Sequence, residues 1–222
     1  MGIPGLRHCF PKRYAAALPA DVIGALVLVA AMVACSAVPT IGFWYQGDAL
    51  ALSADARAQL GGPLTSDEVA SIKQLSTAEV ERAFSGLRIT VTTNQRAFWR
   101  VAVLQSLATR WNQSHQLPAA GESVAMGFLG GMGAVDFDMV ATEAIHYASP
   151  NASRQSIIQG VGRGIGRVAV HEFVHQILGA SAAHNNSDLD SYEYGSPDRR
   201  SQYYGELHWT TAWPLLRRRF GE

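Results

Sequence analysis

Three histidines and a glutamate share one short stretch, VAVHEFVHQILGASAAHNN, from Val168 to Asn186. His171, His175 and His184 fall within 14 residues of a chain that holds only seven histidines. His171 and His175 are four positions apart, so on a helix both imidazoles leave the same side, one turn above the other. Two nitrogens so placed can bind one zinc ion at about 2.0–2.1 Å. Glu172 sits one position round, able to reach a water on that ion without binding the ion itself. Zinc lowers the pKa of such a water, and a carboxylate removes its proton as it attacks a carbonyl. The spacing therefore meets the needs of metal-assisted hydrolysis.

The stretch must be helical for this to work, and its surroundings agree. A helical pattern starts near Ser153 and runs to Leu178. Val170, Phe173, Val174, Ile177 and Leu178 form an apolar stripe beside the one that carries the histidines. Gly179 is a natural residue just past a helix end. The run Gly160 to Gly166 contains the letters of a dinucleotide fingerprint. That fingerprint needs a preceding strand and a βαβ unit, whereas these glycines run into the histidine helix. Close helix packing or a flexible helix start is the expected use.

With these residues in place, the chain resembles the zincin metallopeptidases, and most closely the metzincin branch, with its motif His-Glu-x-x-His-x-x-Gly-x-x-His. Here the run is HEFVHQILGASAAH, with the glycine one residue late and the last histidine three late. The branch also places a methionine turn beneath its zinc. Met1, Met32, Met126, Met132 and Met139 all precede His184, so the segment Ser191–Gly195 would have to take that place. The resemblance implies an α+β zincin-like metalloprotease domain, with a small mixed sheet and a central helix bearing the motif. It implies one zinc ion held by His171, His175 and His184, Glu172 as general base, and a protein or peptide as substrate. An edge strand, from Ser123–Phe128 or Ala134–Val140, would pair with that substrate. Thermolysin-like relatives take a glutamate as third ligand instead, which leaves Glu193 as an alternative, with Asp188 or Asp190 as others. Glu193 could equally orient an imidazole. Tyr192, Tyr194, Tyr203 and Tyr204 are candidates to donate a hydrogen bond to the oxyanion. His208 reads as structural, and His146 has no partner pattern.

The remaining elements are read from periodicity and caps. Thr65-Ser66-Asp67-Glu68 starts a helix that runs towards Phe84, with a second capping signal at Ser76–Glu79. Leu87 to Thr92 alternates like a strand. Arg96 to Gln113 places Phe98, Val101, Leu104, Leu107 and Trp111 on one helical face. Ser123–Phe128 and Ala134–Val140 read as strands, 143–148 is ambiguous, and a last helix spans about Thr210 to Phe220.

At the other end, Arg7, Lys12 and Arg13 precede a run from Val22 to Tyr45 without a charged residue. Residues 1–45 read as an N-terminal hydrophobic helix: a signal, a lipoprotein signal with Cys35 in Met-Val-Ala-Cys, or a membrane anchor. Each places the following chain on the exported side, in the cell envelope, periplasm or extracellular space, and makes the membrane a partner through this segment. Residues 46–64 read as a linker, and 65–222 as the catalytic domain. Both cysteines lie in the first 35 residues, which rules out a disulfide framework or thiolate zinc site beyond them. Net charge is zero and the basic residues form no stripe, so nothing points to nucleic acid. Arg217-Arg218-Arg219 reads as a solvated helix end. The expected activity is that of an exported zinc metallopeptidase. The alternative is a membrane-anchored envelope protein with a structural or vestigial metal site.

Overall fold

Alternating apolar residues build the sheet that carries the site. The computed structural model describes residues 38–107 and 120–221. Five strands, β1 (Thr40–Tyr45), β2 (Thr90–Thr92), β3 (Trp99–Leu104), β4 (Gly121–Ala125) and β5 (Gly131–Asp136), stand in the order β2-β1-β3-β5-β4. All neighbours are parallel except β4, which runs antiparallel to β5 at the edge. In register, Trp99 pairs with Gly131, Val101 with Gly133 and Val103 with Val135. These residues, with Ile41 and Phe43, form the sheet face turned to the helices and are buried.

Among the described residues seven helices complete an α+β fold: α1 (Ala54–Gln59), α2 (Ser66–Ala83), α3 (Phe137–His146), α4 (Arg154–Leu178), α5 (Ala180–Ala183), α6 (Ser201–Tyr204) and α7 (Ala212–Phe220). α4 is the central one and packs on β3, β4, β5 and α2. Ser153 caps its start through Ser156 N–H, and Thr65 and Glu68 form a reciprocal capping box on α2. The glycines of α4 lie against other elements. A Cβ on Gly162 would meet Leu75 Cβ at 2.8 Å, and one on Gly166 would meet the Ser76 carbonyl at 2.6 Å. They let α2 approach, so close packing and not a nucleotide accounts for the run.

Several sequence expectations are corrected. Thr40–Tyr45, grouped above with the N-terminal segment 1–45, is an inner strand of the sheet. A charge-free run suits a buried parallel strand as well as a membrane, and composition does not separate the two. Residues 46–64 are no linker: they contain α1, and Ala49, Leu52, Ala56 and Leu60 are buried. The compact unit therefore begins at Val38 and not at residue 65. Arg96–Gln113 is not helical in its first half, which is β3. A Trp-Arg-Val-Ala-Val-Leu run fits both periods, and its β-branched residues favour the strand. The later part of that segment lies outside the described residues. The two strands expected near 123–128 and 134–140 sit earlier, because Asp136 caps α3 through Met139 N–H at 2.9 Å and ends β5. The hydrophobic segment up to Ala37, with Cys35, lies outside the described residues. No helix among those described is long and apolar enough to cross a membrane.

Candidate metal centre

The histidine site is assembled at the C-terminal half of α4 and the turn that follows. His171 and His175 are a turn apart, with ring centroids 4.8 Å from each other and Nε2 atoms 3.1 Å apart. His171 Nδ1 lies 3.0 Å from the Tyr192 carbonyl, which can only accept, so Nδ1 carries the proton and Nε2 presents a lone pair. Burial pushes His171 down to about 4, and the neighbouring histidines add to this against the Tyr192 hydrogen bond. Burial and then His184 push His175 down to about 4. Both rings are neutral at pH 7, the state a metal ligand requires.

Gly179, at φ +88°, turns the chain after α4 in a conformation that favours glycine. Short α5 then returns His184 to the pair, with its ring 5.2 Å from that of His171 and 4.8 Å from that of His175. Ligand atoms of the three histidines lie within 4.8 Å of one another. Nitrogens sharing one tetrahedral zinc stand about 3.3 Å apart, by the usual zinc–nitrogen distance. The His171–His175 spacing of 3.1 Å already matches this, and His184 is exposed to solvent. Three imidazoles on this scale fit zinc.

Glu172 is buried beside them, facing β4. A Cβ on Gly121 would stand 2.5 Å from its Oε1, so only glycine leaves room for the carboxylate there. Burial pushes its carboxyl up to about 8; Ser123 acts weakly in the other direction and Glu122 adds to the rise. A dication alongside works against that rise. The site opens into a cleft of about 710 Å³, with β4 residues Gly121–Ser123 on one side and Tyr194–Pro197 on the other.

The structure gives the alternative ligands other roles. Glu193 is fully buried, and its Oε1 accepts from Thr210 and Ala212 N–H, both at 2.9 Å. It caps the start of α7, where the free N–H groups favour a carboxylate, and it is not part of the histidine cluster. Asp188 pairs with His208 at 2.8 Å and accepts from Asp190 N–H, also outside the cluster. His208 is thus structural, and His146 packs edge-on against Tyr147. Of the four tyrosines, Tyr192 directs its hydroxyl to Glu79 and Tyr204 to the Ala144 carbonyl, while Tyr203 is buried against Gly164. Tyr194 lines the cleft, with Arg199 over its ring at 4.7 Å.

Sequence reasoning missed two residues beneath the site. Arg167, 1% exposed, donates Nε to Glu79 Oε1 at 2.9 Å, and to the carbonyls of Ser201, Gln202 and Gly205. The same Glu79 oxygen accepts from Arg82 and from Tyr192 Oη at 3.0 Å. Burial alone would raise the Glu79 carboxyl, but Arg167 and Arg82 outweigh it and hold it below the usual range. A chain of contacts thus runs from Glu79 through Tyr192 to His171. The available signal was an arginine set between Gly166 and Val168 in the glycine-rich part of α4, four residues before His171.

Neither a family model nor a curated protein nor a solved structure matches the chain.

Proposed function

We propose that the protein is a zinc-dependent metallopeptidase of zincin type, exported behind its N-terminal apolar segment. The observation that carries this reading is the convergence of His171, His175 and His184 on one point beside the buried Glu172, at the mouth of a cleft bounded by an edge strand. His171, His175 and His184 would hold the zinc. Bound there, zinc supplies a Lewis acid for a scissile carbonyl and acidifies water. Glu172 removes the proton of the attacking water and passes it to the leaving amine. The wall of Gly121 and Val168 against Glu172 keeps bulk water from its carboxylate. Among the described residues β4 has a strand partner on one side only, and an extended peptide in the cleft pairs with its other edge. Tyr194, which lines the cleft, donates its hydroxyl to the developing oxyanion in this reading.

The test is metal analysis and peptide cleavage on the purified full chain, with Glu172→Gln beside it. One zinc per chain and cleavage of a peptide library are expected. Glu172→Gln should keep the zinc and lose about 10²–10⁴-fold in kcat, the usual worth of a general base. Turnover retained in that variant removes Glu172 from the mechanism. Stoichiometric zinc with no cleavage of any peptide favours a structural metal site in an envelope protein.

A further inference from the structure

One end of the sheet differs in character from the rest of the surface. β1, β2, β3 and β5 start there and β4 finishes there: Ile41 pairs with Trp99, Trp99 with Gly131, and Gly131 with Ala125. Six large apolar side chains are exposed among the described residues. Five of them, Val38, Phe98, Val124, Leu129 and Met132, lie within three residues of that row. The sixth, Leu189, is held by α6 through Ser201 Oγ, near the opposite half of α4.

Arginines surround the same end. Exposed Arg96 precedes Phe98 by two residues, and Arg100 stands beside Met132 in register. Arg88 N–H donates to the Phe220 carbonyl at 2.8 Å, and Arg219 lies over the Trp99 ring at 5.2 Å. These two contacts bring the last turn of α7, with exposed Arg217 and Arg218, to the apolar cluster. β1, β2, β3 and α7 contain no carboxylate.

We propose that this end rests on an anionic lipid bilayer, with its apolar side chains between headgroups and its arginines on lipid phosphates. Apolar residues ringed by arginine suit that surface. A second copy in a two-fold contact would set arginine against arginine. The chain also enters the fold here: Val38, where the compact unit begins, lies within the uncharged stretch from Val22 to Tyr45. β4 leads from the cleft at Gly121 to the lipid end at Ala125, a path of about 13 Å at the usual rise per residue. Substrate segments would be taken close to the bilayer surface. The proposal goes beyond the peptidase reading and stands without zinc.

Because the N-terminal segment could hold the full chain on any vesicle, the readout is side-chain shielding and not binding. Hydroxyl-radical labelling of the full chain is compared in phosphatidylcholine vesicles with and without phosphatidylglycerol. Labelling of Phe98, Leu129 and Met132 should fall several-fold when the anionic lipid is present, while Leu189 stays unchanged. The double variant Arg217→Gln/Arg218→Gln should lose that dependence on lipid charge at an unchanged melting temperature. Equal labelling in both vesicle types overturns the proposal. So does shielding that follows protein concentration, which marks a second copy, and so does full shielding in the double variant.

Discussion

His184 and Glu193 stand nine residues apart on the same returning segment, and the chemistry around each separates ligand from cap. His184 presents an imidazole to His171 and His175, whereas the observed acceptor contacts of Glu193 are spent on α7. His184→Ala should weaken zinc binding by about 100-fold or more, beyond the loss typical of a supporting contact, in competition with a chromophoric chelator. Glu193→Ala should leave zinc affinity unchanged and cost about 1–2 kcal/mol in urea unfolding, the worth of a charged helix cap. The reverse pattern would move the third ligand to Glu193. Gly121 is the second residue with a defined consequence. Gly121→Ala places a Cβ 2.5 Å from both Glu172 Oε1 and Val168 Cγ1. The carboxylate must move, so kcat should fall about tenfold or more while zinc affinity holds. The His-Glu-x-x-His core was legible in sequence because its geometry is local to one helical turn. The choice among His184, Glu193 and Asp188 was not, because a carboxylate in a loop reads alike as ligand or cap. The Glu79–Arg167 pair, 88 residues apart in sequence, left no local trace of its partner.

Elements were legible where caps and period agreed. α2 and α4 announced themselves through Thr65 and Ser153, and α4 runs from Arg154 to Leu178, close to the expected span. β3 was misread because a short buried apolar run satisfies helical and strand spacing together. β1 was hidden by the apolar segment that precedes it. α1 was hidden by the Ala, Gly and Asp content around it, although Ala49, Leu52, Ala56 and Leu60 recur at helical intervals. The contact of α2 with α4 gives the test at this scale. Alanine is the better helix former by about 1 kcal/mol, so an open position in α4 would gain from Gly→Ala. Gly166 is not open: a Cβ there would be 2.6 Å from the Ser76 carbonyl and 2.6 Å from Glu79 Cβ. A backbone carbonyl cannot rotate away, so Gly166→Ala should destabilise by about 1–3 kcal/mol in urea unfolding, as overpacking does. Stabilisation instead would mean that α2 and α4 are not so closely packed.

At the scale of the whole molecule, the histidine cluster joins two parts that the sheet does not join. α4 is anchored across β3, β4 and β5, while the chain after Gly179 adds no strand to that sheet among the described residues and is held by helix packing on α4 and by side-chain contacts such as Arg167 to the Ser201 carbonyl. His171 and His175 belong to the first part and His184 to the second. Zinc held by all three would fasten the returning segment, with its Tyr194 wall of the cleft and the Glu193 cap of α7, onto the central helix. A ligand that binds the folded chain alone stabilises it by about 2.7 kcal/mol at a free concentration one hundred times its Kd. For a chain of this size each kcal/mol moves the melting temperature by about 2–4 °C, so saturating zinc should raise it by about 5–10 °C over chelator-treated protein. Glu172→Gln should show the same rise, since on the proposed mechanism it removes a base and no ligand, while His184→Ala should show a much smaller one. Two matched melts, with zinc and with chelator, decide it for each protein. A rise that survives unchanged in His184→Ala would mean that the metal sits on α4 alone and leaves the returning segment free.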